Sequence, residues 1–300
     1  MRGGVGRRAG LRLRIGLLTL IGADRRPAEL LGWGPIHAEL ADTLAATLRS
    51  WWCVYTDTTG TLHKVIPIHR RPNSNPGPSP GVPDRLPGEV WIHLDTATLQ
   101  FLHAAEQAGL IEPGPIRTLL TDITTRLDAA QPGPPNGDPT ARHPTAALRR
   151  WITIRDLRCT FPGCRTPAHR ADIDHTINHA HGGPTTDTTL TSLCRHDHRL
   201  RHEGGWTIRH HHPGQISWTS RLGNTYQPRR IDTLRDLPEP RPGATDEDEP
   251  EFPEDRLTAD PDTCLEPEPE PRPNPPPPMP LYHHFNPPTS HDTSDEEFPF

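Results

Sequence analysis

Residues 172–206 read DIDHTINHAHGGPTTDTTLTSLCRHDHRLRHEGGW, and this stretch decides the architecture. Asp172-Ile173-Asp174-His175 alternates in the manner of a strand. The turn His181-Gly182-Gly183-Pro184 follows, and Thr186–Leu193 leads into Cys194 and a helix that Gly204-Gly205 breaks. The order is strand, loop, helix. His175 sits at the strand, and His198 and His202 share a helix face one turn apart. An Asp-His pair at a strand end presents a carboxylate ligand and an imidazole base side by side. Such a pair, with a helix histidine opposite, can hold a hard divalent cation.

Upstream, Cys159-Thr-Phe-Pro-Gly-Cys164 places two thiols across a Pro-Gly turn, and Cys194-Arg-His-Asp197-His198 comes thirty residues later. Two turn-borne thiolates with a second pair on another element suit tetrahedral zinc. At about 100° per residue, positions 197 and 198 fall on the side of Cys194 while His196 points away. Zinc accepts carboxylate as well as imidazole, so Asp197 or His198 closes the site. Arg149, Arg150, Arg155, Arg158, Arg165 and Arg170 precede the strand, a density that reads as phosphate contacts. Downstream, Trp206–Arg209 and Gln215–Thr219 read as a hairpin around Pro213-Gly214, with Trp206 as its core anchor and His210–His212 solvated.

The rest of the chain is lean in apolar residues. Of 300 residues 39 are proline, and only 32% are hydrophobic, so small domains joined by unpacked stretches are expected. Within residues 15–66, Gly34-Pro35 starts a helix whose apolar face is Ile36, Leu40, Leu44 and Leu48. Trp51–Tyr55 and Thr61–Pro67 read as strands around the turn Thr56–Gly60. A Pro-rich linker covers about 70–88, Val90–Leu94 reads as a strand, and Thr96–Ala108 and Pro115–Leu127 as helices. Residues 131–143 form a second linker. Residues 236–300 hold 18 acidic and 3 basic residues and read as a disordered acidic Pro-rich tail on a basic body, an asymmetry common in nucleic-acid proteins.

Five sparse cysteines do not make a disulfide framework and point to metal in a reducing, cytoplasmic setting. No run reaches the ~18 apolar residues of a membrane span. The apolar run Ile15–Ile21 behind several arginines lacks a convincing cleavage site for a signal peptide. Nothing in the sequence indicates an oligomeric state.

Taken together, Ala146-Ala147-Leu148-Arg149-Arg150, Arg155-Asp156, Cys159-x4-Cys164, Asp174-His175, Gly182-Gly183-Pro184-Thr185, Leu193-Cys194-Arg195, His198-Arg199-Leu200 and His202-Glu203-Gly204-Gly205-Trp206 resemble the HNH endonucleases, in their zinc-containing subgroup. The resemblance implies an α+β fold with a ββα-metal module over 144–220. Residues 16–66, especially Leu17–Leu31, Gly32-Trp33-Gly34-Pro35 and the Asp57–Gly60 turn, resemble the final part of a helical domain of unknown function found in repeat-type bacterial proteins, which makes residues 1–130 an N-terminally truncated domain of that kind. His175 would be the general base. Asp174 and His198 would bind a catalytic Mg2+ or Mn2+. Cys159, Cys164, Cys194 and Asp197 would bind a structural zinc. The middle Asn of the family, which helps fix the loop and orient the base, is replaced by Thr189. A hydroxyl offers fewer hydrogen bonds than a carboxamide. The expected activity is metal-dependent hydrolysis of DNA phosphodiesters, with RNA left open as a substrate. The alternative is a catalytically weakened zinc-containing module that binds nucleic acid.

Overall fold

A computed structural model describes residues 10–69 and 86–228, together with residues 234 and 237. Most of the 70–88 linker and, apart from residue 237, the acidic tail lie outside the described residues. The chain is mixed α+β. In order, its elements are β1 (Leu11–Gly16), α1 (Leu17–Leu20), β2 (Ala28–Leu30), β3 (Gly34–Ile36), α2 (Ala38–Thr47), β4 (Leu48–Thr56), β5 (Leu62–Ile68), β6 (Leu86–Asp95), α3 (Thr96–Gln107), α4 (Pro115–Ala129), α5 (Ala146–Asp156), β7 (Asp172–His175), β8 (Leu190–Leu193), α6 (Arg195–Glu203), β9 (Thr207–His212), β10 (Gln215–Thr219) and β11 (Thr225–Tyr226).

The first six strands make one sheet in the order β3-β2-β1-β6-β4-β5. The long strand β6 runs parallel to both β1 and β4, and the remaining pairs are antiparallel. Alternation along the strands gives the sheet two buried faces. Leu13, Ile15, Val90, Ile92, Trp51, Cys53 and Ile66 point to one face, where α1 to α4 cover them with Ala41, Ala45, Leu102, Leu119 and Ile123. Val54 and Trp91 point to the other, where Leu31 and Ile154 of α5 pack on them. On that second face Arg14, 1% exposed, donates to Glu29 Oε2 at 2.6 Å, so a charge in the alternation is paired rather than solvated.

Helix ends follow their local chemistry. Asp95 caps α3 by accepting from Thr98 N at 2.7 Å, and Thr145 caps α5 by accepting from Leu148 N at 3.2 Å. Pro115 occupies the first turn of α4. The helix expected from Gly34-Pro35 begins instead at Ala38, because Gly34–Ile36 pairs with β2 as a strand. Its apolar stripe is also displaced. Leu40 is 50% exposed, Leu48 already belongs to β4, and the alanines 41 and 45 face the sheet.

The second half is built around β7 and β8, an antiparallel pair with His175 opposite Leu190 and Asp172 opposite Leu193. β9, β10 and β11 form a separate antiparallel sheet. Trp218, fully buried, anchors this hairpin and donates from Nε1 to Thr160 O at 2.8 Å. Trp206, expected in that role, is only partly buried and stacks edge-on to Phe161 at 5.0 Å.

The described residues belong to one compact unit. Leu62 and Val65 of β5 pack against both the cluster of Leu31, Val54, Trp91 and Ile154 and the cluster of Leu148, Trp151, Ile152 and Leu190, so the large sheet, α5 and β8 pack continuously. The 131–143 segment is tied down at both ends. Gly133 N donates to His63 O at 2.8 Å, and Thr185 N donates to Pro139 O at 2.7 Å.

Candidate metal centres

The segment before the strand pair, the strand pair and α6 gather two ligand clusters. The first gathers Cys159, Cys164, Cys194 and Asp197, whose donor atoms all lie within 4.8 Å of one another. Cys159 and Cys164 sit on a knuckle closed by the bridge between Arg158 and Pro167, where Gly163 takes a φ of 77° and Cys164 N donates to Phe161 O. Cys194 stands between β8 and the first residue of α6, so Asp197 falls in the first turn of the helix. There the unpaired N–H groups favour negative charge. Asp197 Oδ2 lies 3.2 Å from Cys159 Sγ and 3.1 Å from Cys194 Sγ. Three thiols and one carboxylate crowded this closely, with Cys159 and Asp197 buried, are a donor set that fits a tetrahedral soft-to-borderline cation. Burial pushes both the Cys159 and Cys194 thiols above their ordinary range. Burial also pushes the Asp197 carboxyl up, but bonds from His196 and the three cysteines outweigh it and hold Asp197 below the usual range.

His196, expected to face away, is exposed but turns its Nδ1 to Asp197 Oδ1 at 2.8 Å. His198 does not join this cluster.

The second cluster is Asp174, His198 and His202. His198 Nε2 lies 3.3 Å from Asp174 Oδ1, and His202 Nε2 lies 3.7 Å from Asp174 Oδ2. The i, i+4 spacing sets the two rings 4.8 Å apart on one face of α6. His202 was not assigned as a ligand from sequence, although its spacing from His198 was the available signal. Arg201 fixes the strand end. Its guanidinium reaches Asp174 Oδ2 and the carbonyl of His175, and NH2 donates to Thr176 O at 2.8 Å.

His175 follows Asp174 at the end of β7, and its ring has partners of its own. Its Nε2 lies 2.8 Å from Thr185 Oγ1, and its ring meets that of His179 edge-on at 5.3 Å. Burial lowers its pKa, His179 and Arg201 lower it further, and Asp174 opposes them. Among the described residues no hydrogen bond joins the Thr189 side chain to His175. Its hydroxyl bonds to Pro184 O and accepts from Thr186 N at 3.3 Å, which closes the 184–189 turn. Asn178 caps the short turn 179–181 by accepting from Ala180 N at 2.9 Å.

The six arginines divide. Arg165 and Arg170 are exposed. Arg150 stacks over Trp52 with its guanidinium carbon 3.8 Å from the ring centroid, and Arg149 is partly exposed on the same helix. Arg158 reaches Glu29 at 3.2 Å. Arg155 is 8% exposed and serves the interior. It binds Asp156 at 2.8 Å, Asp187 at 2.7 Å and Leu190 O at 2.7 Å. Trp151 Nε1 donates to the same Asp187 at 3.0 Å, so this network pins α5 to the loop before β8. A phosphate cannot reach that fork.

Similar chains occur in Mycobacterium tuberculosis. An uncharacterized protein of that organism, Rv3776, is 32% identical over 152 residues, which is 50% of this chain and 28% of the relative. A second, Rv2100, is 35% identical over 120 residues, 39% of this chain and 22% of the relative. A third, Rv1128c, is 29% identical over 141 residues, 44% of this chain and 30% of the relative. The chain thus spans under a third of the length of these curated relatives. No family model matches the chain, and no solved structure matches it. Among the described residues no helix is long and apolar enough to cross a membrane.

Proposed function

We propose that residues 144–220 are a metal-dependent endonuclease module of the HNH type, with a ββα-metal core, that hydrolyses DNA phosphodiesters in the cytoplasm. The observation that carries this is the convergence of Asp174, His198 and His202, with His175 following Asp174 as the last residue of β7. Phosphodiesters are anionic and unreactive, so a base, a placed water and a cation are all required. Asp174, His198 and His202 fit a divalent cation such as Mg2+ or Mn2+, which when bound supplies charge stabilisation to the scissile phosphate and the leaving oxygen. His175 takes the proton of the attacking water. Its lowered pKa keeps the imidazole neutral near pH 7, the state a base needs. Arg201 holds Asp174 and the strand end in place. Exposed Arg165 and Arg170, with Arg149 and Arg150, would track the phosphate backbone. Cys159, Cys164, Cys194 and Asp197 would hold a structural zinc at the root of α6.

One observation favours a second reading. The Arg201 guanidinium already neutralises an oxygen of Asp174, where a cation's charge is wanted. Together with Thr189 in the Asn position, this fits a zinc-containing module that binds nucleic acid without cutting it. Nicking of supercoiled plasmid by the full chain separates the two. Metal-dependent nicking is expected with Mg2+ or Mn2+, abolished by EDTA and by His175→Ala. A folded protein that shifts DNA on a gel but leaves it intact would establish the second reading instead.

A further inference from the structure

We infer that Thr185, tied to the carbonyl of Ala141, fixes the tautomer of His175 and so leaves Nδ1 as its basic atom, a positioning role that rests on His175 being the base proposed above. Thr185 is 3% exposed and held at both ends of its residue. Its backbone N–H donates to Pro139 O at 2.7 Å. Its hydroxyl has two neighbours, the carbonyl oxygen of Ala141 and His175 Nε2 at 2.8 Å.

The proton count decides the assignment. A threonine hydroxyl has one proton to give and lone pairs to accept with. A backbone carbonyl can only accept, so the proton goes to Ala141. The oxygen facing His175 is then an acceptor, and Nε2 must carry the hydrogen. A neutral imidazole has a single N–H, so Nδ1 bears the lone pair. Among the described residues Nδ1 has no hydrogen-bond partner. Thr189 cannot take over this task, because its hydroxyl is committed to Pro184 O. The two duties that the Asn of the HNH pattern is expected to combine are thus divided. Thr189 closes the loop, and Thr185 orients the imidazole. The anchor of that orientation lies outside the strand, turn and helix, in the 139–141 segment, more than 30 residues before His175.

The tautomer is read directly by long-range 1H–15N correlation on the full chain carrying 15N-histidine, at mildly alkaline pH and without added divalent metal. His175→Gln identifies the resonances. The expected spectrum shows the Nε2–H form in the native protein and in Thr185→Ser, and a mixture of both tautomers in Thr185→Val. Single-turnover nicking in Thr185→Val is expected to fall by about 10–100-fold, a part of the roughly 10²–10⁴-fold that a positioned base supplies, with the KM for plasmid unchanged. A native protein in the Nδ1–H form overturns the inference whether or not Thr185→Val folds. So does a folded Thr185→Val whose tautomer matches the native one. If the native protein has the Nε2–H form, Thr185→Val mixes it, and no protein nicks DNA, the tautomer assignment stands and the nuclease proposal falls.

Discussion

Gly183 leaves no room for a side chain. A Cβ built there would lie 2.0 Å from Ile177 O and 2.7 Å from Ile177 C, both backbone atoms that cannot step aside. Its neighbour Gly182 has a φ of 84°, in the region that glycine enters freely. The pair therefore shapes the loop that carries Thr185 and Thr189, each glycine for a different reason. Gly183→Ala is expected to cost about 2 kcal/mol or more, as overpacking against rigid atoms does, measured as a shift of the urea midpoint at unchanged slope. A second residue gives a pH test away from the ligand clusters. His169 is half-buried with Nδ1 unpaired, and its pKa is lowered to about 4 by burial and then by Arg12 and Arg170. The unfolded chain takes up this proton near the ordinary value of about 6.5, the folded chain only near 4. Between those values the unfolded state binds more protons, so this contribution is intact above the upper value and stability falls as pH drops through the window. His169→Gln should flatten that slope in denaturation curves taken from mildly acidic to neutral pH. An unchanged slope would show that His169 is not the group responsible.

At the scale of elements, β7, β8 and α6 are short, and on the proposed reading a zinc held by Cys159, Cys164, Cys194 and Asp197 would add stability to that of the Leu190 and Leu193 clusters. Cys194→Ser is expected to abolish retention of one equivalent of zinc and to lower Tm, read by metal analysis and calorimetry on the same sample. Asp197→Cys is expected to strengthen zinc retention against a chromophoric chelator, since thiolate is the softer ligand. Weaker retention in that variant would mean that the Asp197 carboxylate is shaped for a harder ion. The sequence made this unit legible because every part of it is local: an alternating strand, a glycine turn, a cysteine before a helix and two histidines one turn apart. The helices α3 and α4 and the β9–β10 hairpin were legible for the same reason, through caps, period and turn residues. What escaped depends on partners distant in sequence. Strand β1 was missed although Leu11, Leu13 and Ile15 alternate with Arg12 and Arg14, because two charges read as a solvated face, and only the pairing of Arg14 with Glu29 allows that charge inside. α2 was misplaced because alanines, not leucines, fill the narrow space under it. Arg155 was grouped with surface cations because its partner Asp187 lies 32 residues away. Of the candidate ligands, the sequence named all but His202, whereas the hydroxyl facing His175 belongs to Thr185 rather than Thr189.

At the scale of the whole molecule, the two halves are joined by apolar contact rather than by a flexible tether. Ile154 of α5 packs on Leu31, Val54 and Trp91 of the large sheet, while Trp151 and Ile152 of the same helix pack on Leu190 of β8. One helix thus belongs to both cores, with the Arg155–Asp187 network fixing its far side. Truncating Ile154 to alanine removes buried methyl groups from a site that backbone pairing prevents from collapsing, a change that costs about 2–5 kcal/mol. If the halves fold as one cooperative unit, that loss is shared. Amide exchange followed by mass spectrometry should show peptides from β1 and β6 and peptides from β7 and β8 losing protection by the same free energy in Ile154→Ala. Loss confined to the sheet, with β7 and β8 as protected as before, would mean that the metal-ligand unit is stable by itself and that α5 serves only as its edge. The distinction bears on catalysis. If His175 is the base and is oriented through Thr185 and Ala141, and the halves fold as one unit, the site keeps its geometry only as long as the large sheet stays folded. The same variant should therefore lose plasmid nicking at a lower temperature than the native chain, in parallel with the exchange of β1 and β6.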